Sequence, residues 1–329
     1  MDVRRGGVVA GLLVMAGLAG AAPSAAQITA DLPTVLPDST PDWDHLFPIW
    51  GEKAVERGFD IPYPVGIGAD IFAQRFDVTI TDLGLSLGDA PTVPIDIVTF
   101  DNAETTLIMG NARADLWVFP FLNVSVMYGA GRGETGVALS EPIPYETRVD
   151  FSGQNYGIGL TGAFGFSGWF FTLNWNQTWF NSDLLNKSVY ANISGVRAGR
   201  NFDVGGKPLA VWVGTMYQNF ENKTEGTVTG TDLGIDELDD AFDGYEDSEW
   251  YLDLGRPQQA VVDELVDQVR TRDPADIRIN YSLNKKPTNP RNIIVGSRYE
   301  FSKSWETRLE LGFIGRVQGM LGVVWRFPW

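Results

Sequence analysis

Cysteine is absent from the 329 residues, and histidine occurs once, as His45. The first absence excludes disulfide scaffolds, thiolate nucleophiles and cysteine-ligated metals. The second leaves little room for histidine acid–base chemistry or histidine metal sites. Cations are scarce: 25 Lys and Arg stand against 42 Asp and Glu, a net charge of -17. That balance excludes nucleic acid as a partner, because a phosphate backbone is bound by a basic surface. Long apolar runs are missing too. The longest, at the N-terminus, is shorter than a bilayer-crossing helix requires, and nothing later approaches it, which excludes a bundle of membrane helices.

What is present begins with a targeting segment. Arg4 and Arg5 precede a short apolar core over 8–18, and Ser24, Ala25 and Ala26 supply small residues for cleavage before Gln27. This order predicts a secretory signal peptide over 1–26. Residues 27–62 are rich in Pro, Asp and Trp, with a short helix expected over 50–57. From 63 onward apolar and polar residues alternate between Gly-rich breaks, interrupted by an acidic insertion at 220–290.

Strict alternation predicts strands with one apolar face. In one stretch Tyr156, Ile158, Leu160, Phe164 and Phe166 alternate with Gly157, Gly159, Thr161, Ala163 and Gly165. In another, Trp169, Phe171, Leu173 and Trp175 alternate with Thr172, Asn174 and Asn176. A soluble sandwich turns such a face to its core, and a membrane barrel turns it to lipid. Three features favour the barrel. Short connections alternate with long ones at 80–104, 132–146 and 220–290, which gives ten antiparallel strands, or twelve if 78–87 and 92–100 pair separately. Aromatic residues gather beside the short turns, among them Phe166, Trp169, Trp305, Trp325 and Phe327, as they do at a membrane interface. The polar faces also carry close charges of both signs, as a narrow packed lumen would.

The last strand resembles the C-terminal assembly signal of Gram-negative outer-membrane β-barrel proteins. Gly322, Trp325 and Phe327 match that pattern, Met320 departs from it, and Pro328 and Trp329 extend beyond it. The resemblance implies an all-β fold, an antiparallel transmembrane β-barrel over 63–329. It would have short periplasmic turns and one long acidic extracellular loop, 220–290, carrying a helix near 257–272. The implied location is the cell outer membrane, with outer-membrane lipid and the barrel assembly machinery as partners. Residues 27–62 then form a periplasmic extension, or a plug whose Trp43, Phe47 and Trp50 fill the space beside Gly157 and Gly159. Arg113, Asp115, Arg148, Asp150, Asn174, Asn176, Arg298, Glu300, Glu306, Arg308 and Glu310 are expected to line the lumen. On that assignment Leu173→Arg, facing lipid, costs much more than Asn174→Arg.

No catalytic constellation is evident. His45 lies ahead of the first strand. An EF-hand starting at Asp239 fails at Ala241 and Trp250, so the acidic insertion supports at most loose divalent-cation binding. Gly205-Gly206-Lys207 lacks the spacing of a phosphate loop and reads as a turn. No cofactor is implied. The expectation is a non-enzymatic barrel, either a narrow gated route for a small solute or amphiphile or a structural, surface-interaction protein.

Overall fold

A computed structural model describes residues 44–329 apart from 89, 97, 142–144, 183, 186, 221–222 and 234–241. The signal segment, Trp43 and the centre of the acidic insertion lie outside the described residues. The strands are β1 (Val65–Leu87), β2 (Val93–Pro94), β3 (Thr99–Phe119), β4 (Leu122–Glu141), β5 (Tyr145–Phe166), β6 (Trp169–Ser182), β7 (Val189–Asp203), β8 (Pro208–Phe220), β9 (Lys223–Thr229), β10 (Arg278–Pro287), β11 (Arg291–Ser302), β12 (Trp305–Phe313) and β13 (Val317–Phe327). The helices are α1 (Gly51–Glu56), α2 (Gly230–Leu233), α3 (Glu249–Leu252) and α4 (Arg256–Thr271).

Ten strands close a ring in the order β1-β3-β4-β5-β6-β7-β8-β11-β12-β13. The ring returns to β1 through a register running from Val65↔Phe327 to Arg75↔Val317. Closure removes every free edge, the condition for a sheet to stand in hydrocarbon. The count is ten and not twelve. Residues 78–87 continue β1, and 92–100 supply only β2 and the start of β3. At the short-turn end Ser167 and Gly168 both have positive φ, 53° and 76°, which suits a two-residue hairpin loop.

One wall is much taller than the rest. β1, β3, β4 and β5 have 23, 21, 20 and 22 residues, roughly twice the 9–11 that a tilted strand needs to cross a bilayer. β12 and β13 have 9 and 11. The stretches 80–104 and 132–146 are therefore largely strand, where the sequence suggested loops. Above Arg75, β13 has ended and β1 would present a bare edge. β10 takes over there, from Val78↔Pro287 to Leu87↔Ile279, and β9 pairs with β10 in turn. The acidic insertion thus contributes a hairpin that rebuilds the wall outside the membrane.

Within the tall wall the interior changes character with height. On β5 the inward residues are Val149 and Phe151 at the top, then Asn155, Gly157, Gly159, Thr161 and Ala163. Above the membrane water lies outside, so the apolar residues turn in. Val149, Phe151, Leu107, Val137, Phe180, Phe220 and the hairpin residues Ile279 and Leu283 form one buried apolar core. The helix α4 lies over it, with Val266 buried and Val262, Leu265 and Val269 packed alongside. This dome is a β/α unit built on the same strands.

Candidate functional site

The chemistry of the barrel lies inside it, and its lowest layer is ionic. β11, β12 and β13 supply Arg298, Glu306, Arg308, Glu310 and Arg326, all buried. Arg326 reaches Asp115 at 3.2 Å and Glu306 at 3.5 Å. Arg298 meets Glu300 at 2.7 Å and Glu306 at 3.8 Å. Glu310 accepts from Arg197 Nε at 2.8 Å, Arg197 Nη2 at 3.0 Å, Arg308 Nη2 at 2.8 Å and the Trp212 indole at 3.1 Å. The Arg308 guanidinium lies 5.0 Å from the Trp212 ring centroid. Arg113 and Asp70 extend the same lattice, Asp70 accepting from Asn111 at 2.8 Å.

Five guanidiniums, those of Arg113, Arg197, Arg298, Arg308 and Arg326, are matched by five carboxylates, those of Asp70, Asp115, Glu300, Glu306 and Glu310. Cross-strand register sets Arg298 opposite Arg308 and Glu300 opposite Glu306. Like charges face to face repel. The diagonal Arg298–Glu306 contact and the same-strand contacts Arg298–Glu300 and Arg308–Glu310 relieve this. A neutral lattice with good geometry is the condition for burying so many charges.

A polar belt borders the lattice. Asn123, Asn155, Thr161, Asn174, Asn176 and Thr178 are buried and inward-facing. Asn123 donates to Asp115 at 2.7 Å, and Asn174 accepts from Arg197 Nη1. Asn155, Thr161, Asn176 and Thr178 have side-chain polar atoms without a hydrogen-bond partner among the described residues.

Of the residues singled out from the sequence, Arg113, Asp115, Asn174, Asn176, Arg298, Glu306, Arg308 and Glu310 are buried in this interior, with Glu300 half-buried at its margin. Arg148 and Asp150 are not there. The Arg148 side chain is 77% exposed and pairs with Glu134 at 3.2 Å, while Val149 and Phe151 point inward. These two lie in the dome, where the polar face is the outer one. Arg197, Arg326, Asp70 and Trp212 were missed. Each occupies the inward phase of its strand, and carrying the alternation through β1, β7, β8 and β13 would have found them.

The short-turn end is covered in part by the chain ahead of β1. Leu46 N donates to Trp329 O at 2.9 Å and Ile49 N to Val118 O at 2.8 Å. Trp50 packs on Phe119 and Phe121 with centroids 5.1 and 6.3 Å apart. Trp50 therefore sits at the rim. The space beside Gly157 and Gly159 is taken by Met127, Thr178, Asn176 and Ser125 of the flanking strands; a Cβ on Gly157 would come within 2.6 Å of Thr178 Cγ2. His45 lies at the same rim, its ring edge-on to Tyr63 with centroids 6.0 Å apart.

The outer wall carries the opposite chemistry. Ile67 and Ile71 of β1, Val126 of β4, Ile158, Leu160 and Phe164 of β5, Leu173 of β6, Val213 of β8 and Leu309, Leu311 and Leu321 of β12 and β13 are all exposed. A continuous apolar band around a closed ring exceeds what a water-facing surface tolerates and fits a hydrocarbon layer. At the short-turn end Trp305 and Trp325 are cross-strand partners, and the Trp325 and Phe327 rings lie 4.7 Å apart. Gly322, next in the terminal pattern, pairs with Asp70 of β1. The chain has the fold of an outer-membrane β-barrel.

No protein-family model and no curated protein matches the barrel. Solved structures resemble its overall arrangement. The β domain of the Bordetella autotransporter BrkA is 8% identical, with 80% of this chain and 100% of that one covered and a TM-score of 0.39. The translocator domain of the autotransporter NalP from Neisseria meningitidis is 12% identical, with coverage of 84% and 92% and a TM-score of 0.35. An outer membrane channel from Pseudomonas putida F1 is 10% identical, with coverage of 82% and 97% and a TM-score of 0.31.

Proposed function

We propose that the barrel is shut at rest and acts through its acidic extracellular dome, as a surface-interaction protein and not as an open pore. The observation that carries this is the charge-neutral lattice of five guanidiniums and five carboxylates filling the lower interior. Ten strands lie close to the eight whose own side chains fill a barrel, far from the sixteen that leave an aqueous channel. Ions entering such a layer would have to break buried pairs. The reading is non-enzymatic. Its partners are outer-membrane lipid along the apolar band and the barrel assembly machinery during insertion, after signal-peptide cleavage near Ala26. Divalent cations at the acidic insertion belong to the same reading, although Asp236, Glu237, Asp239 and Asp240 lie outside the described residues.

Regulated passage of a small solute or amphiphile is the second reading. The unpartnered polar atoms of Asn155, Thr161, Asn176 and Thr178 favour it, since a file of water would satisfy them. Planar-bilayer recording separates the two. The closed reading expects no steady current from the wild type. It also expects conductance to appear in Glu306→Ala/Arg326→Ala, which opens the lattice without leaving a net charge. Steady wild-type conductance would sink it.

A further inference from the structure

Above the balanced lattice stands an interior cation that meets no counter-charge among the described residues. Arg316, in the turn before β13, is 4% exposed. Its Nε donates to Gln318 Oε1 at 2.9 Å, and its Nη2 has no hydrogen-bond partner among the described residues. No charged side chain among them lies close enough to act on it. The turn is pinned in place. Asn292 Oδ1 accepts from the backbone N–H groups of Gly315 at 3.2 Å and Arg316 at 3.4 Å, while Asn292 Nδ2 donates to the same Gln318 oxygen at 3.1 Å.

Two more inward amides stand at this level. Gln74 of β1 is the register partner of Gln318. Gln218 follows Met216 on the inner face of β8, and the Met216 sulfur accepts from Gln318 Nε2 at 3.8 Å. Both Gln74 and Gln218 are buried, and the Nε2 of each is without a partner. The ring therefore holds three unused donors, one of them cationic. A guanidinium has only donors to offer, and burying it without an opposite charge is strongly unfavourable.

We propose that this ring binds a small inorganic anion, a halide or an oxyanion, inside the barrel at the boundary between polar belt and dome. Arg316 supplies the charge, and Gln74 and Gln218 turn their amide donors toward the same ion. Cations are disfavoured by the guanidinium, and bulky anions by the enclosure. The site does not depend on whether the barrel conducts.

The test uses the full chain folded in detergent micelles at constant ionic strength, with a bulky organic sulfonate as balancing anion. Bromide, and in a second series phosphate, is titrated while the thermal midpoint is read from the gel mobility of folded and unfolded forms. The wild-type midpoint should rise and saturate with at least one of the two ions, as expected for binding to the native state alone. Arg316→Met should lose the response and, without either ion, melt no lower than the wild type, because it removes an unpaired buried charge. Gln74→Leu keeps the charge and loses one donor, so it should raise the concentration for half response on the order of tenfold. It also keeps the test decisive if Arg316→Met does not fold. A wild type indifferent to both ions would overturn the proposal, and so would a response unchanged in Arg316→Met or in Gln74→Leu.

Discussion

At the scale of single residues, the same side-chain chemistry has opposite costs on the two faces of the wall. Leu173 is 55% exposed in the apolar band, so Leu173→Arg should cost about 2–4 kcal/mol near the midplane. The sequence alone made Asn174→Arg cheap by comparison, because a lumen was expected to be wet. The structure reverses that. Asn174 is buried and already accepts from Arg197, so a second guanidinium there would meet like charge in a packed layer. Refolding titrations in urea should show Asn174→Arg at least as destabilising as Leu173→Arg. Glu310 makes the strongest case inside. Glu310→Gln leaves Arg197 and Arg308 sharing one neutral amide, and should cost about 3–5 kcal/mol, the usual loss when a buried pair is broken from one side. In the dome, Tyr245 and Tyr251 both donate to Asp263 Oδ1, at 2.9 and 2.7 Å. Burial and then the Asp263 carboxylate push the Tyr245 phenol up to about 12. For Tyr251 the hydrogen bond to Asp263 comes first and the result is again about 12. Both shifts favour the neutral phenol in the folded state. Their stabilisation is thus intact below the ordinary tyrosine value of about 10 and is lost as pH rises from there toward about 12. Tyrosinate absorbance in Asp263→Asn should show Tyr251 titrating earlier than in the wild type; an unchanged titration would contradict the shared hydrogen bond.

At the scale of elements, legibility followed the solvent. The strands β6 to β8 and β11 to β13 could be placed within a few residues, because lipid lies along most of their length and one apolar phase persists. β5 was harder. Its apolar residues occupy even positions from Tyr156 to Phe166 and odd positions at Val149 and Phe151, since oil surrounds the lower part and water the upper. A single alternation rule places Arg148 and Asp150 inside, and the change of surroundings places them outside. The helix α4 was legible for the usual reason: Val262, Leu265, Val266 and Val269 share a face, and Pro257 suits a first turn. The β9–β10 hairpin was not, because its partner is the upper half of β1, far away in sequence and itself read as part of a long connection or as a separate strand. The ionic lattice was legible by residue type on β11 and β12, but its closure through Arg197, Asp70 and Arg326 needed the ring. The helix also gives a test of the dome. Val266→Asp buries a carboxylate among Val262, Leu265 and the apolar core of the strands. It should expose the 230–277 segment to limited proteolysis while the heat-dependent gel shift of the barrel stays as in the wild type.

At the scale of the whole molecule, two solvents divide one chain into parts that share a strand. β1 is held by β13 from Val65 to Arg75 and by β10 from Val78 to Leu87, with β3 along its other side as far as Asp77. The lower part is an edge-free ring whose backbone hydrogen bonds have no competing water. The upper part is a soluble core whose hairpin edge, β9, meets solvent, and whose helix α4 docks through one apolar stripe. Local opening is least costly where backbone hydrogen bonds are solvent-exposed and buried apolar contacts are few. Amide exchange on the protein in lipid nanodiscs should therefore split β1 near Asp77. Residues 65–75 should exchange as slowly as β12 and β13, and residues 78–87 should exchange with β9, β10 and α4. Adding urea should widen the gap, because denaturant reaches the dome from water and the ring only through its filled interior. Uniform protection along β1 would mean that the dome and the ring open as one unit. The dome could then not rearrange around a partner while the barrel stays shut, and a surface role carried by the dome would lose its physical basis.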